Sequence, residues 1–186
     1  MNRLPLLAAT VLAAVSAAAQ TPAPSPSGPP APPPKPCLTM PESRQLDFWL
    51  GDWDVSPTGK PVPPKPSRSR IELSDDGCVV NELYTTQPGG YTGRSLNAYD
   101  ANKKHWEQFY VDNGGGVNHF IGHGRDGNMY YEGDFPPPGK TEPVKNKMTF
   151  FNQGKDQVRQ LGEQSTDGGK TWTVTYDLTY RRRPKP

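Results

Sequence analysis

The segment W-T-V-T-Y-D-L-T-Y at residues 172–180 alternates large apolar side chains with threonine and aspartate. Because successive side chains of a β-strand point to opposite faces, this period of two predicts a half-buried strand. Similar runs rich in Tyr, Trp, Val, Thr and Phe recur between Phe48 and Tyr180, and none keeps a helical period for more than about two turns. The domain is therefore predicted to be all-β.

Turn signals such as Asp76-Gly77, Asp126-Gly127 and Gly154-Lys155-Asp156 separate these runs at intervals of roughly 8 to 15 residues. About nine or ten strands joined by short turns favour a single antiparallel up-and-down β-barrel over a sandwich, whose crossovers need longer connections. Two proline-rich connections, at residues 57–66 and 136–145, are longer and are expected at a barrel mouth. Residues 42–50 predict one short N-terminal helix.

The N-terminus predicts export. Residues 1–19 combine an early arginine, an apolar run and small residues, which is typical of a secretory signal peptide cleaved after Ala19. The apolar run is shorter than the ~20 residues of a spanning helix, so we expect no stable membrane insertion and a periplasmic or secreted location. Residues 20–36 contain nine prolines and predict an extended linker. The barrel is assigned to residues 37–183, with a tail at 184–186.

Charge excludes one class of partner. The sequence has 21 Lys and Arg against 19 Asp and Glu, a formal net charge of +2, so no global field for nucleic acid exists. Four basic residues do cluster at the C-terminus: Arg181, Arg182, Arg183 and Lys185. They are interpreted either as a solvated strand end or as a contact for anionic lipid.

Cys37 and Cys78 are the two cysteines of the sequence. In the oxidising compartment that a signal peptide implies, a disulfide between them is predicted. Two widely spaced cysteines match no pattern of metal ligands.

The stretch L-D-F-W-L-G-D-W-D-V at residues 46–55 places Gly51 and Trp53 where a short helix would pass into the first strand. It resembles the lipocalin and fatty-acid-binding (calycin) superfamily, in which such a tryptophan packs across the barrel floor. Further motifs extend the resemblance over roughly residues 37–182: Gly77-Cys78, Glu82, Gly93 to Asp100, Trp106-x-Gln108, Val111-Asp112, Val158-Arg159-Gln160 and Asp167 to Trp172. Together they resemble an uncharacterised exported bacterial family, a domain of unknown function with a lipocalin-like barrel.

This resemblance implies a fold and no activity. Nitrobindins are similar in design and bind haem through a histidine near the C-terminal strand, but residues 171–183 contain no histidine. No cofactor is therefore expected. The stretch from Ser165 to Trp172 also matches the Asp-box pattern S-x-D-x-G-x-T-W of sialidase-type propellers. One copy predicts a tight hairpin turn, because a propeller needs several blades.

Strand parity selects the candidate site. Val80, Glu82 and Tyr84 share a face with residues of the next two strands, and polar groups on an inner face must pair with each other, water or a ligand. The candidate ligand-binding residues are Trp53 as the floor, with Glu82, Asn97, Gln108 and Arg159 as hydrogen-bonding groups. The alternative is a satisfied polar network that fills a closed barrel.

No pattern in the sequence predicts a metal or a known catalytic centre. On a strand, His119 and His123 would lie about 13 Å apart, too far to share an ion, and His105 is expected to be exposed. The G-x-S-x-G, H-E-x-x-H and phosphate-loop motifs are missing from the sequence. The leading hypothesis is an exported protein, not an enzyme, that binds a small organic molecule. The alternatives are an envelope structural or interaction module, and an unrecognised hydrolase or isomerase using Glu82 or Glu163 as acid or base.

Overall fold

The computed structural model describes residues 35–184, so the predicted signal peptide, nearly all of the proline-rich linker and the end of the tail lie outside the described residues. A four-residue helix, α1 (Pro36–Thr39), is followed by ten strands. The strands are β1 (Gly51–Pro57), β2 (Ser67–Ser74), β3 (Val79–Thr85), β4 (Thr92–Asp100), β5 (His105–Asp112), β6 (Val117–Arg125), β7 (Asn128–Phe135), β8 (Val144–Asn152), β9 (Gln157–Ser165) and β10 (Thr173–Arg182).

The ten strands form one closed antiparallel barrel in which each strand pairs with its neighbours in sequence, and β1 pairs with β10. The closing pair sets Val55 opposite Tyr180 and Trp53 opposite Arg182. Closure leaves no strand edge unpaired, which removes the usual site of edge-to-edge association. The prediction of an all-β, up-and-down barrel is confirmed.

The predicted single helix over residues 42–50 is replaced by two 3-10 turns, Pro41–Arg44 and Asp47–Trp49. Leu46, between them, has φ −98° and ψ 3° and interrupts the helical dihedrals. Leu46 and Trp49 are both fully buried. Because a 3-10 helix has three residues per turn, it places these two side chains on the same side, under the barrel.

The last strand departs from strict alternation. Val174 lies opposite Glu163 but Tyr176 lies opposite Gly162, so Thr175 is an extra residue in a β-bulge. The bulge turns Val174 to the outside, where it is 55% exposed, while Tyr176 and Tyr180 face inwards. The prediction that Val174 shares a face with Tyr176 is therefore wrong.

Aromatic side chains close the barrel at the end where β1 begins. Trp49, Trp53 and Trp106 are buried there together with Phe150 and Met129. The Trp53 indole Nε1 donates to the Trp49 carbonyl oxygen at 2.8 Å, and the Trp106 Nε1 donates to Gln45 Oε1 at 3.0 Å. Burial therefore costs these two indole donors no hydrogen bond, whereas the buried Trp49 Nε1 has no hydrogen-bond partner among the described residues.

The basic C-terminal segment belongs to this closure. The Arg182 guanidinium lies 4.1 Å from the Trp53 ring centroid, and its Nη1 donates to the Leu50 carbonyl oxygen at 2.8 Å. Arg181 donates to Ser56 Oγ, and Arg183 forms an ion pair with Asp54. These three arginines hold the end of β10 against β1.

The predicted disulfide is confirmed: Cys37 and Cys78 are bonded, with Cα atoms 4.9 Å apart. It ties the N-terminal segment to the turn between β2 and β3. The Arg44 guanidinium joins the same two segments by donating to the carbonyl oxygens of Cys37 and Gly77 at 3.2 Å each. A structural disulfide is typical of an oxidising compartment, extracellular or periplasmic. Within residues 35–184, no helix has the length and apolar character to cross a membrane.

The Asp-box stretch forms a hairpin turn between β9 and β10, as predicted. Asp167 accepts hydrogen bonds from the backbone N–H groups of Lys170 and Thr171 at 2.9 Å each, and from the Thr171 hydroxyl at 2.6 Å. These donors hold the pKa of the Asp167 carboxyl well below its usual range. The Trp172 Nε1 donates to the Gly169 carbonyl oxygen, which places this tryptophan on the turn.

Replacing Trp53 with alanine removes a fully buried indole, its hydrogen bond and its contact with Arg182. We expect Trp53→Ala to lower the free energy of unfolding by about 3 to 5 kcal/mol in urea denaturation. The matched control is Trp172→Ala on the hairpin turn, which should cost about 1 kcal/mol or less. Equal losses for the two variants would contradict the assignment of Trp53 to the barrel floor.

Candidate functional site

A cavity of about 380 Å³ occupies the end of the barrel opposite the tryptophan floor. It reaches Tyr91 and Tyr176, which are 38% and 36% exposed, so it opens to solvent. The two long connections, now bounded at residues 58–66 and 136–143, lie at this end, as expected of loops at a barrel mouth. Seven of its 18 lining residues are aromatic: Tyr84, Tyr91, Tyr110, Phe120, Phe135, Tyr176 and Tyr180.

Glycines make room for two of these rings. Gly162 lies directly opposite Tyr176 in the β9–β10 ladder, and a Cβ atom at Gly162 would overlap the ring. Gly93 on β4 similarly faces the Tyr110 side chain. Because glycine has no side chain, the rings of both tyrosines can lie against the backbone of the inner wall at these two positions.

Glu82 lies at the base of the cavity and is 5% exposed. Its Oε1 accepts a hydrogen bond from the Ser69 hydroxyl at 2.6 Å and lies 3.3 Å from the Tyr180 hydroxyl. Its Oε2 has one long contact, from the Ser95 hydroxyl at 3.5 Å. Burial, which disfavours the charged form, outweighs these donors and raises the pKa of Glu82 to about 7.

Beneath the cavity, Asn97 organises a polar layer. Its Nδ2 donates to the Val80 carbonyl oxygen and to Ser95 Oγ, both at 3.0 Å. Its Oδ1 accepts from Gln108 Nε2 at 2.6 Å and from the Tyr131 hydroxyl at 3.2 Å. Asn97 is fully buried and its amide is satisfied by protein groups. The layer therefore separates the aromatic floor from the cavity.

The polar layer continues on the opposite wall of the barrel, which is formed by β8, β9 and β10. The Tyr180 hydroxyl lies 2.8 Å from Gln160 Oε1, and Gln160 Nε2 contacts Met148 Sδ at 3.0 Å. The Tyr180 hydroxyl has one proton, so it donates either to Gln160 or to Glu82. When Glu82 is protonated, Tyr180 donates to Gln160 and accepts the proton of Glu82 in a hydrogen bond. The pKa of Tyr180 is raised well above its usual range, first by burial. It therefore stays a neutral link between Glu82 and Gln160.

The structure brings two of the five predicted binding residues to the cavity, Glu82 and Gln108. Asn97 lies one layer below them, and Trp53 lies below that in the floor, so neither lines the cavity.

Arg159 lies on the outside of the barrel, and its prediction as a lining residue is wrong. Its neighbours Val158 and Gln160 on β9 are buried and face inwards, so the alternation of the strand turns Arg159 outwards. There it donates to both carboxylate oxygens of Asp177 at 2.8 and 2.7 Å. This pairing raises the pKa of Arg159 and lowers the pKa of Asp177.

Sequence reasoning missed the tyrosines and Gln160 as cavity residues. Tyr84 and Tyr110 have the same strand parity as Glu82 and Gln108, the predicted binding residues of their own strands, so parity is the signal that places these two tyrosines inside. Tyr91 gives no such signal, because it lies in the loop before β4. Its hydroxyl reaches the cavity rim by contacts with the Tyr110 hydroxyl at 2.9 Å and Asp112 Oδ2 at 3.1 Å.

The three histidines lie on the outer face of β5 and β6, and none lines the cavity. Glu107 contacts the rings of His105 and His119 and the Lys103 ammonium. These partners, Lys103 first, lower the pKa of Glu107 to about 2. No group of three or more candidate metal ligands occurs within the described residues.

Comparison with known proteins adds no assignment. No protein-family model matches the chain, and no curated protein matches its sequence. The resemblance to an exported family with a lipocalin-like barrel therefore stays a prediction.

The raised pKa of Glu82 predicts how stability varies with pH. The folded protein holds this proton up to about pH 7, while an unfolded chain releases it near the ordinary value of 4.5. Stability from this group is therefore fully present below pH 4.5 and is lost as pH rises through 7. At about 1.4 kcal/mol per pKa unit, the loss is about 3 kcal/mol.

We expect Glu82→Gln, which mimics the protonated group, to gain about 3 kcal/mol of unfolding free energy relative to the parent between pH 4 and pH 8. The measurement is urea unfolding across that range. The control Glu132→Gln alters a carboxyl whose side chain is 74% exposed, and it should follow the parent profile. A Glu82→Gln curve parallel to that of the parent would show that the pKa of Glu82 is the same in the folded and the unfolded protein.

Proposed function

We propose that this protein is an exported binding barrel that holds a small, partly aromatic organic molecule in the cavity above Glu82. The observation that carries the proposal is the cavity itself, about 380 Å³ in volume and lined by aromatic side chains with a few polar groups among them. Ligand sites in proteins are typically concave, largely apolar and furnished with a small number of placed polar groups.

The cavity also bears on the alternative of a filled barrel. A purely structural module needs an interior in which polar side chains satisfy one another. That condition holds for Asn97 in the layer below, but Gln108 differs. Its Nε2 is bonded to Asn97, whereas its Oε1 accepts no hydrogen bond from residues 35–184, although the residue is 2% exposed. A ligand or water donor in the cavity would satisfy this oxygen.

Export rests on two observations of different kinds. The sequence of residues 1–19 has the order of a secretory signal peptide. The Cys37–Cys78 disulfide is of the kind that persists in the periplasm or outside the cell. A periplasmic or secreted location fits both, and the proline-rich linker would then connect the barrel to the start of the mature chain.

A second candidate, a hydrolase or isomerase, is favoured by one observation: the carboxyl group of Glu82 is buried at the base of the cavity. The other candidate acid or base, Glu163, lies opposite Lys147 and Val174 in the ladders and shares their outer face. A carboxyl with a pKa near 7 suits a general acid. Binding remains our leading proposal, because the described cavity has no activated nucleophile beside a base. Hydrolysis of p-nitrophenyl esters or glycosides that is lost in Glu82→Gln and kept in Glu132→Gln would favour the enzyme instead.

Binding is tested with the neutral fluorescent probe N-phenyl-1-naphthylamine. We expect saturable binding with micromolar affinity, accompanied by a rise in probe fluorescence on transfer to an apolar site. Asn118 lines the cavity, so Asn118→Trp should fill it and abolish binding. The neighbouring Val117 is 67% exposed on the outer face, and Val117→Trp should bind as the parent does. Equal binding by the two variants would place the probe outside the barrel.

A further inference from the structure

The charges around the cavity are one-sided. One carboxyl group, that of Glu82, lies at its base. Glu163 is paired with Lys147 across the β8–β9 ladder and shares the outer face of that residue. The one basic residue among the lining residues is Lys147, and its ammonium is directed to the exterior. It lies 4.0 Å from the Trp172 ring centroid and 3.8 Å from Glu132 Oε1. Among residues 35–184, the cavity therefore holds the Glu82 carboxyl without an opposing internal cation.

The base of the cavity also presents unused hydrogen-bond acceptors. Glu82 Oε2 has one contact, at 3.5 Å, and Gln108 Oε1 has none from the described residues. The orientation of the Gln108 amide is fixed by Asn97. The amide nitrogen of Asn97 donates to Val80 and Ser95, so its oxygen faces Gln108 and accepts from Gln108 Nε2. A ligand that meets this base must therefore supply N–H or O–H donors.

The walls fit a positive charge. The Glu82 carboxyl is surrounded by tyrosines of β3, β5 and β10, namely Tyr84, Tyr110, Tyr176 and Tyr180. The negative charge of Glu82 contributes to a raised pKa in each of these tyrosines. From β2 and β4, Ser69 and Ser95 meet the carboxyl through hydroxyl groups. The faces of tyrosine rings attract ammonium and guanidinium groups, most strongly when water is excluded.

We propose that the ligand is an organic cation, an amine protonated at nitrogen and carried on an apolar or aromatic group, with its ammonium directed at Glu82 and Gln108. This inference rests on the proposed binding function and names its ligand class. The ammonium supplies the missing donors and the missing charge together, while the apolar part lies between Phe120, Phe135 and Leu178 nearer the mouth. A neutral ligand would supply the donors without the charge.

If the ligand is a cation, its binding should release protons from Glu82. Binding of a cation favours the ionised form of Glu82, whose pKa is about 7 in the empty cavity. An alkylammonium stays charged throughout the pH range from 6 to 8. Affinity should therefore increase about tenfold from pH 6 to pH 8, and about half a proton per ligand should be released at pH 7.

The experiment compares tryptamine with tryptophol, which has the same indole and a neutral hydroxyl in place of the ammonium. Isothermal titration calorimetry of the purified protein at pH 8 should show tryptamine binding at least about tenfold more tightly. Titrations in two buffers of different ionisation enthalpy count the proton released at pH 7. That count uses the unaltered protein and does not depend on a variant that folds.

Two variants assign the effect. Glu82→Gln should bind tryptamine and tryptophol with similar affinity and show no change between pH 6 and pH 8. The control Glu163→Gln retains Glu82 and should retain the pH dependence. Displacement of N-phenyl-1-naphthylamine by tryptamine confirms that both probes share the cavity.

The outcomes separate the two proposals. Binding of N-phenyl-1-naphthylamine together with equal affinity for tryptamine and tryptophol, or without proton release, overturns the ligand class and leaves the binding function intact. Failure of the neutral probe and of both indoles to bind overturns the binding function, and the ligand class with it. A preference for tryptamine that survives Glu82→Gln unchanged overturns the role of Glu82.

Discussion

The closure of the sheet at ten strands determines how wide the barrel interior is, and the rest of the structure depends on how that interior is filled. A barrel of about eight strands is just wide enough for side chains to fill, so two further strands leave more interior than ordinary residues occupy. The chain meets this at one end with three tryptophans and the segment that carries Leu46 across the floor. At the other end the interior stays open. The hollow half of the barrel is thus a result of strand number and of where the largest side chains lie.

The polar layer around Asn97 lies between the aromatic floor and the open half of the barrel. Buried amides and hydroxyls are costly unless paired, and Asn97 pairs with four groups drawn from β3, β4, β5 and β7. Glu82 lies just above, with hydroxyl donors from β2, β4 and β10 and no basic side chain among them. A carboxyl in this position is neutral or charged according to what occupies the cavity. The element that gives the fold its polar core therefore also gives the site its sensitivity to charge.

The fold was largely predictable from the sequence, because alternation and turn residues are local signals. The barrel architecture and the interior position of Glu82 and Gln108 followed from them. The disulfide followed from a different signal, the presence of two cysteines behind a predicted signal peptide. The position of Val174 did not follow, because a bulge at Thr175 changes parity without a mark in the pattern. Arg159 was misplaced for a related reason: its strand parity was not anchored by an aromatic neighbour of known orientation. Tyr91 reaches the site from a loop, where parity has no meaning.

A hollow aromatic chamber surrounds the Glu82 carboxyl, which is desolvated and has no cation beside it among residues 35–184. The ¹³C chemical shift of the Glu82 carboxyl carbon, assigned by its loss in Glu82→Gln and followed from pH 4 to pH 9, reports this directly. The account predicts a single titration with its midpoint near pH 7 in the empty protein. It also predicts a midpoint at lower pH when tryptamine is present in saturating amount. A midpoint near 4.5 without ligand, the ordinary value for glutamate, would contradict it.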